Sequence, residues 1–251
     1  MSLQIPLVVV HDGATEYVAH CIDSCLLCGI TPILIGSSDF GRKVDFIPID
    51  KYRDSSSEFR SFYLHRGVLP AWWECLCFER WFFVRELCQE RGYERVMCID
   101  SDVLMFATTD EVDAHSPNTI ISSKDLSCSG WTLSQVVISR TELYQFCEFT
   151  LKDHYPNDMD AFTVFLKKTG ASVLDLSIPH RGEAIDHNLA VCDGWECHWH
   201  EPTNRAAKNV YFGGGRAYAT HRSCGRTRIL GLHCWSTHKA EMEQYLKQAY
   251  A

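Results

Sequence analysis

No stretch of the chain approaches the roughly 18 consecutive apolar residues that cross a bilayer. The opening Met-Ser-Leu-Gln-Ile-Pro-Leu-Val-Val-Val has neither the basic flank nor the length of a secretory leader. Basic residues are in deficit, with 24 Lys and Arg against 32 Asp and Glu and a formal charge of -8. A general nucleic-acid binder, whose footprint is a strong basic excess, is thereby disfavoured. There is no Gly-x-Gly-x-x-Gly and no Walker loop, which disfavours a dinucleotide oxidoreductase or a P-loop enzyme. What is present is 251 residues, 46% hydrophobic, enough to bury a large core as one big α/β domain or two small ones. The chain reads as a soluble, cytoplasmic protein with no membrane span and no nucleic-acid partner. Its oligomeric state is not written in the sequence.

Cysteine is abundant, at thirteen. Cys21, Cys25, Cys28, Cys75, Cys77, Cys88, Cys98 and Cys147 lie inside apolar patterns where small apolar residues pack, which fits reduced thiols. Cys192, Cys197, His198 and His200, with Cys224, His233 and Cys234 further on, have the residue types of a structural zinc site. No Cys-x-x-Cys lies within that cluster, and Trp195 and Trp199 interleave.

The chain opens as a β-α-β unit. A strand is expected over 5–10, a helix over 14–28 stopped by Gly29, and strands over 31–35 and 44–49. In an open parallel sheet a ligand lies beyond the strands' carboxyl ends, so His11, Asp12, Gly13 and Tyr17 are placed to meet a nucleotide. Pro70 then opens a long helix over 71–91 with Trp72, Cys75 or Leu76, Phe83, Val84, Leu87 and Cys88 on its buried stripe and Gly92 at its end. Arg80, among Trp81, Phe82 and Phe83, either snorkels to solvent or pairs with an anion such as a donor phosphate or Asp100.

That helix delivers the chain to Val96-Met97-Cys98-Ile99, an apolar run of the kind a doubly covered strand makes, which ends in Asp100-Ser101-Asp102. Along an extended chain the two carboxylates point the same way, with Ser101 opposed, and can hold a hard divalent cation. The plainer possibility is an Asp-rich turn with solvated carboxylates.

Short strands are expected over 119–122 and 136–139, separated by a loop whose small residues and Gly130 suit close approach of backbone to ligand. Helices follow over 141–153 and 159–168, the second capped by Asp158 and ended by Gly170. Asp160, in its first turn, either favours the helix dipole or faces a ligand. The last third reads as irregular. Its segments 178–181, 193–204 and 213–216 are rich in Trp, His, Gly and Arg, as loops that hold a sugar often are. A strand over 228–232 ends in His233, and a terminal helix spans 240–250.

Val96 to Phe106 resembles the Asp-x-Asp segment of nucleotide-sugar glycosyltransferases of the GT-A fold. The stretch from Leu230 to Lys239 resembles the closing His-x-x-Gly-x-x-Lys of glycosyltransferase family 8, with Ser236 where that pattern has Gly. Asn157-Asp158-Met159-Asp160 resembles the acidic helix start that such enzymes turn toward the donor sugar. The resemblance implies an α/β GT-A domain with a mostly parallel central sheet flanked by helices. Residues 1–106 would form its nucleotide-binding half and 107–251 its acceptor-binding half. It implies a nucleotide-sugar donor, UDP-sugar favoured over GDP-sugar, bound through Mn2+ or Mg2+ held by Asp100, Asp102 and His233. Lys239 would neutralise the leaving diphosphate, and Asp158 or Asp160 would position the sugar or act as base. The transferred group would be a hexose, passing to a hydroxyl of a glycan, protein or small molecule. Resemblance to family 8 leans toward retention at the anomeric carbon. Arg80, Ser101 and the residues from His11 to Tyr17 would complete the donor site.

Three rivals remain at this point. A phosphohydrolase could use Asp100 as nucleophile, although such enzymes carry the motif on the first strand. A metal-dependent nucleotidyltransferase shares the two-carboxylate site, and a zinc-stapled binding module would need no chemistry at all.

Overall fold

Along the strand that ends at Ile99, Val96 and Cys98 pack into one apolar cluster, while Met97 and Ile99 pack into another. A strand that buries both faces needs a layer on each side of its sheet, and the remaining elements supply those layers. The computed structural model describes residues 5–125, 130–186, 188–190, 192–201 and 204–251, with Asp125, Ser236 and Thr237 described by backbone alone. Leu126 to Ser129, the small polar part of the loop before Gly130, lies outside the described residues.

The chain begins with β1 (Leu7–His11), α1 (Tyr17–Leu27), β2 (Ile33–Gly36) and β3 (Asp45–Pro48), all three strands parallel. A 3-10 segment, Ile49–Ser56, and the short α2 (Ser57–Phe62) lead to α3 (Ala71–Arg91). Pro70 precedes α3 as expected, and Gly92 ends it at φ 69°. Then come β4 (Arg95–Ile99), β5 (Val103–Met105), α4 (Thr109–Asp113), β6 (Ile120–Ser122), β7 (Lys124–Asp125), β8 (Gly130–Trp131) and β9 (Gln135–Ser139). After α5 (Arg140–Thr150) and α6 (Asp158–Thr169), β10 (Val173–Asp175) closes the main sheet.

That sheet has seven strands in the order β10-β6-β9-β4-β1-β2-β3. It is mixed, because β9 runs antiparallel to both β4 and β6 while the other pairs are parallel. The α/β reading holds with that refinement.

The last third is not irregular. It forms β11 (Glu183–Asp186), β12 (Cys197–His200), β13 (Arg205–Lys208), β14 (Val210–Gly213), β15 (Arg216–His221) and β16 (Gly225–His233). A 3-10 turn, Ser236–Glu241, and α7 (Met242–Tyr250) complete the chain. Strands β11, β16, β15 and β14 make a second sheet, and β5 joins it along β16. Apart from β16, which is nine residues long and holds the strand expected over 228–232, these strands are only four to six residues long and give little length for a periodic pattern.

Two smaller expectations fail. Trp72 is 65% exposed, because it lies in the first turn of α3, where it meets Trp73 edge-on at 5.6 Å. The cap of α6 is Asn157, whose side chain accepts from Asp160 N–H at 2.8 Å, so Asp158 is the first helical residue. Cysteine also departs from expectation in one place. Cys192 and Cys197 form a disulfide, while ten other cysteines are free among the described residues. Thiols joined in that bond are not zinc ligands, which removes two donors from the zinc-stapled alternative.

Candidate active site

Strand β4 lies in the middle of the main sheet and ends at Ile99, and the next three residues fold back on themselves. Asp100 N–H donates to the Ser134 carbonyl at 2.8 Å, and Val103 N–H donates to the Asp100 carbonyl at 3.2 Å. Asp100-Ser101-Asp102 is therefore a tight turn rather than an extended run. The carboxylates still converge. Strand β16 pairs with β5 so that His233 lies opposite Val103, and Cys234 N–H donates to the Asp102 carbonyl at 2.8 Å. One ligand atom each from Asp100, Asp102 and His233 lies within 4.8 Å of the others.

Positive charge surrounds these carboxylates. Lys239 Nζ lies 2.9 Å from Asp102 Oδ2, and His233 Nε2 lies 3.2 Å from Asp102 Oδ1. Burial alone would push the Asp102 carboxyl up, but His233 and Lys239 overcome it and hold the group well below the ordinary range. For Lys239 burial pulls down, and Asp102 more than compensates, so the ammonium is retained. Its Nζ also sits 4.6 Å from the centroid of the Tyr17 ring, a cation–π contact that holds the lysine over the start of α1.

Arg80 bridges two carboxylates. One guanidinium nitrogen pairs with Asp100, and the other lies 2.8 Å from Asp158 Oδ2. The snorkelling alternative is excluded by this pairing. Burial lowers the Arg80 pKa, yet the two carboxylates raise it overall. Asp158 Oδ2 also accepts from Trp81 Nε1 at 3.1 Å. Burial pushes Asp158 up, and Arg80 and Trp81 only partly oppose it. Asp160 is exposed and accepts from Asn157 Nδ2 at 3.0 Å. Two steps along a helix rotate a side chain by about 200°, so Asp160 faces away from the side on which Asp158 meets Arg80.

The loop after β1 comes to the same place. His11 Nδ1 lies 3.0 Å from Ser101 Oγ, and Nε2 lies 3.0 Å from Thr15 Oγ1. Burial, and next Lys239, lower the His11 pKa to about 4, so the ring is neutral near pH 7. Gly13, at φ 131°, donates its N–H to Ser37 Oγ at 2.9 Å. Asp12 pairs with Arg53 Nη2 at 2.8 Å.

Sequence reasoning did not find several of these partners. Thr15, Ser37 and Arg53 are ordinary polar residues whose placement is purely tertiary. Gln135 is another: it is buried in β9 and donates to the Asp186 carbonyl at 2.8 Å. The buried pair Lys208–Asp186 beside it carried one faint signal, a lysine just after Ala206-Ala207.

No protein-family model matches the chain, and no curated protein matches it in sequence. Solved structures do resemble it. The galactosyltransferase LgtC, solved in complex with donor and acceptor sugar analogs, matches with 13% identity and a TM-score of 0.51 over 98% of this chain and 95% of its own. The bifunctional glycosyltransferase WbbM matches with 13% identity and a TM-score of 0.48 over 75% of this chain, which spans 41% of WbbM. A glycosyltransferase involved in glycosylation of the major capsid of PBCV-1 matches with 10% identity and a TM-score of 0.47, over 95% of this chain and 99% of its own. The likeness to LgtC over nearly the whole of both chains shows that the fold is the GT-A fold.

Proposed function

We propose that the protein is a metal-dependent glycosyltransferase that moves a hexose from a nucleotide-diphosphate sugar, UDP-sugar favoured, to an acceptor hydroxyl. The observation that carries this reading is the meeting of Asp100, Asp102, His233 and Lys239 beyond the carboxyl end of β4. In α/β sheets that is where ligands bind. Two carboxylates and one imidazole suit a hard or borderline divalent ion, and Mn2+ or Mg2+ fits this donor set. Bound there, such an ion would offset negative charge on the donor diphosphate.

The chain's own residues do the rest. Lys239 leaves Asp102 for the leaving diphosphate, where a fixed cation is worth most because charge builds as the anomeric bond breaks. Tyr17 and His11 line the nucleotide side, with Asp12 and Gly13 in the same loop. Ser101 fixes the His11 ring. Arg80 holds Asp100 and Asp158 at a set spacing, and Asp158 faces the donor sugar. Asp160 has the weaker case for such a role, since its carboxylate is exposed and bonded to Asn157. Residues 1–106 are read as the nucleotide half and 107–251 as the acceptor half. Retention at the anomeric carbon is supported by the likeness of 230–239 to family 8.

No helix among the described residues is long and apolar enough to cross a membrane. A cytoplasmic location is supported by the ten free thiols, whereas the Cys192–Cys197 bond is of a kind rare in that compartment. A thiol count on protein isolated without reductant decides between them. The function itself is tested by release of nucleoside diphosphate from UDP-hexoses with Mn2+. Release by the parent that Asp102→Asn abolishes is expected, and equal release by both proteins overturns the assignment.

A further inference from the structure

Away from Asp102, a second group of side chains with ligand chemistry meets where β12 approaches the 3-10 turn Ser236–Glu241. His200 ends β12, and His238 and Glu241 lie in the turn that also carries Lys239. His200 Nε2 is 2.6 Å from Glu241 Oε1, and His238 Nδ1 is 3.0 Å from Glu241 Oε2. The two imidazole rings are 4.5 Å apart between centroids. One ligand atom from each of the three residues lies within 4.8 Å of the others.

His238 is 2% exposed, and its Nε2 has no hydrogen-bond partner among the described residues. A cavity of about 210 Å³ lined by His200, Glu241, Lys208 and Tyr245 leads to the cluster. Tyr245 Oη donates to Glu241 Oε2, the outer hydrogen bond that orients a ligating carboxylate in metal sites.

We propose that His200, His238 and Glu241 form a second metal centre, selective for zinc or a similar borderline divalent ion, that ties β12 to the turn bearing Lys239. Two imidazole nitrogens and one carboxylate oxygen are the three-ligand set of an open zinc site, with the fourth position toward the cavity. Zinc bonds of ~2.0–2.1 Å put tetrahedral ligand atoms roughly 3.3 Å apart. The side chains therefore need to spread by roughly 0.7 Å at the His200 contact and roughly 0.3 Å at the His238 contact. Both histidines bind through neutral lone pairs, and the protons they share with Glu241 pass to solvent. The set is richer in nitrogen than Asp100, Asp102 and His233, so zinc and cobalt favour this centre while manganese and magnesium favour the other. The centre does not depend on the proposed transferase activity.

The test is titration of the metal-stripped full chain with Co2+, read by the visible d–d bands of tetrahedral cobalt, followed by displacement with Zn2+. Bands that saturate at one equivalent are expected in the parent and in Asp102→Asn. Loss of the bands in His200→Gln and at least tenfold weaker binding in Glu241→Gln are also expected. Metal-free melting of each variant reports its folding, and Zn2+ is expected to raise the melting temperature of the parent but not of His200→Gln. A parent without tetrahedral bands overturns the proposal, and so do bands that persist in folded His200→Gln or disappear in Asp102→Asn. The Asp102→Asn arm separates this result from any failure of the donor site.

Discussion

Lys239 is the residue on which the proposed chemistry turns. Its ammonium rests 2.9 Å from Asp102, beside the carboxylate that it would leave. Removing a preorganised group of this kind typically costs about 10²–10³ in kcat. Lys239→Ala is expected to lose that much with little change in KM for the donor, measured by steady-state kinetics with a UDP-hexose. A change confined to KM would reassign Lys239 to ground-state binding. His11 makes a different prediction at the same scale. Its folded pKa of about 4 lies below the ordinary imidazole value of 6.5, so between these values the unfolded chain holds a proton that the folded chain does not. Stability from this group is full above pH 6.5 and falls as pH drops toward 4, by up to about 3 kcal/mol. Urea unfolding across that range is expected to show a shallower decline for His11→Gln than for the parent. Parallel curves would mean that His11 is not the group responsible.

Helix termini and strand pairings carry the element-scale predictions. Ser139 accepts from Glu142 N–H at 3.2 Å, while Glu142 Oε2 accepts from Ser139 N–H at 3.2 Å, a reciprocal cap that starts α5 directly from β9. Ser139→Ala is expected to cost about 0.5–2 kcal/mol, read from the urea midpoint. Gly231 in β16 is more demanding, because a Cβ there would lie 1.8 Å from Gln135 Oε1. Gln135 is buried and bonded across to the Asp186 carbonyl, so it has little room to yield. Gly231→Ala is expected to destabilise by about 1–3 kcal/mol, and an unchanged melting temperature would show that Gln135 can move aside. These elements also divide what was legible in the sequence from what was not. The helix Ala71–Arg91 was legible from end to end because Pro70 and Gly92 bracket a continuous apolar pattern. The turn Asp100–Asp102 was legible as a candidate site because an apolar strand stops at two carboxylates. The ribbon β12–β13 and strands β14 and β15 were not, since strands of four to six residues that mix polar, aromatic and small side chains carry no strong apolar alternation. Convergence was the least legible of all: His200 and Glu241 meet across 41 residues, and His11 and Ser101 across 90.

Over the whole molecule, two sheets share one seam. Strand β5 leaves the Asp100–Asp102 turn and pairs with β16, so the second sheet is registered against the end of the first at the point where His233 meets Asp102. A donor bridged by a cation at that seam would bind residues from both ends of the chain, from Tyr17 to Lys239, and only when both sheets are folded. A ligand that binds only the native state stabilises it by mass action, about 2.7 kcal/mol at a hundred times its Kd. For a chain of this size that is a rise of roughly 5–10 °C in melting temperature. The decisive measurement is therefore thermal melting of the parent and of Asp102→Asn with UDP, GDP and their sugars, each with and without Mn2+. Stabilisation of the parent by one nucleotide only in the presence of manganese, and none for Asp102→Asn, is the expected result. No shift with any nucleotide, or equal shifts for the two proteins, contradicts a metal-bridged donor site at Asp102.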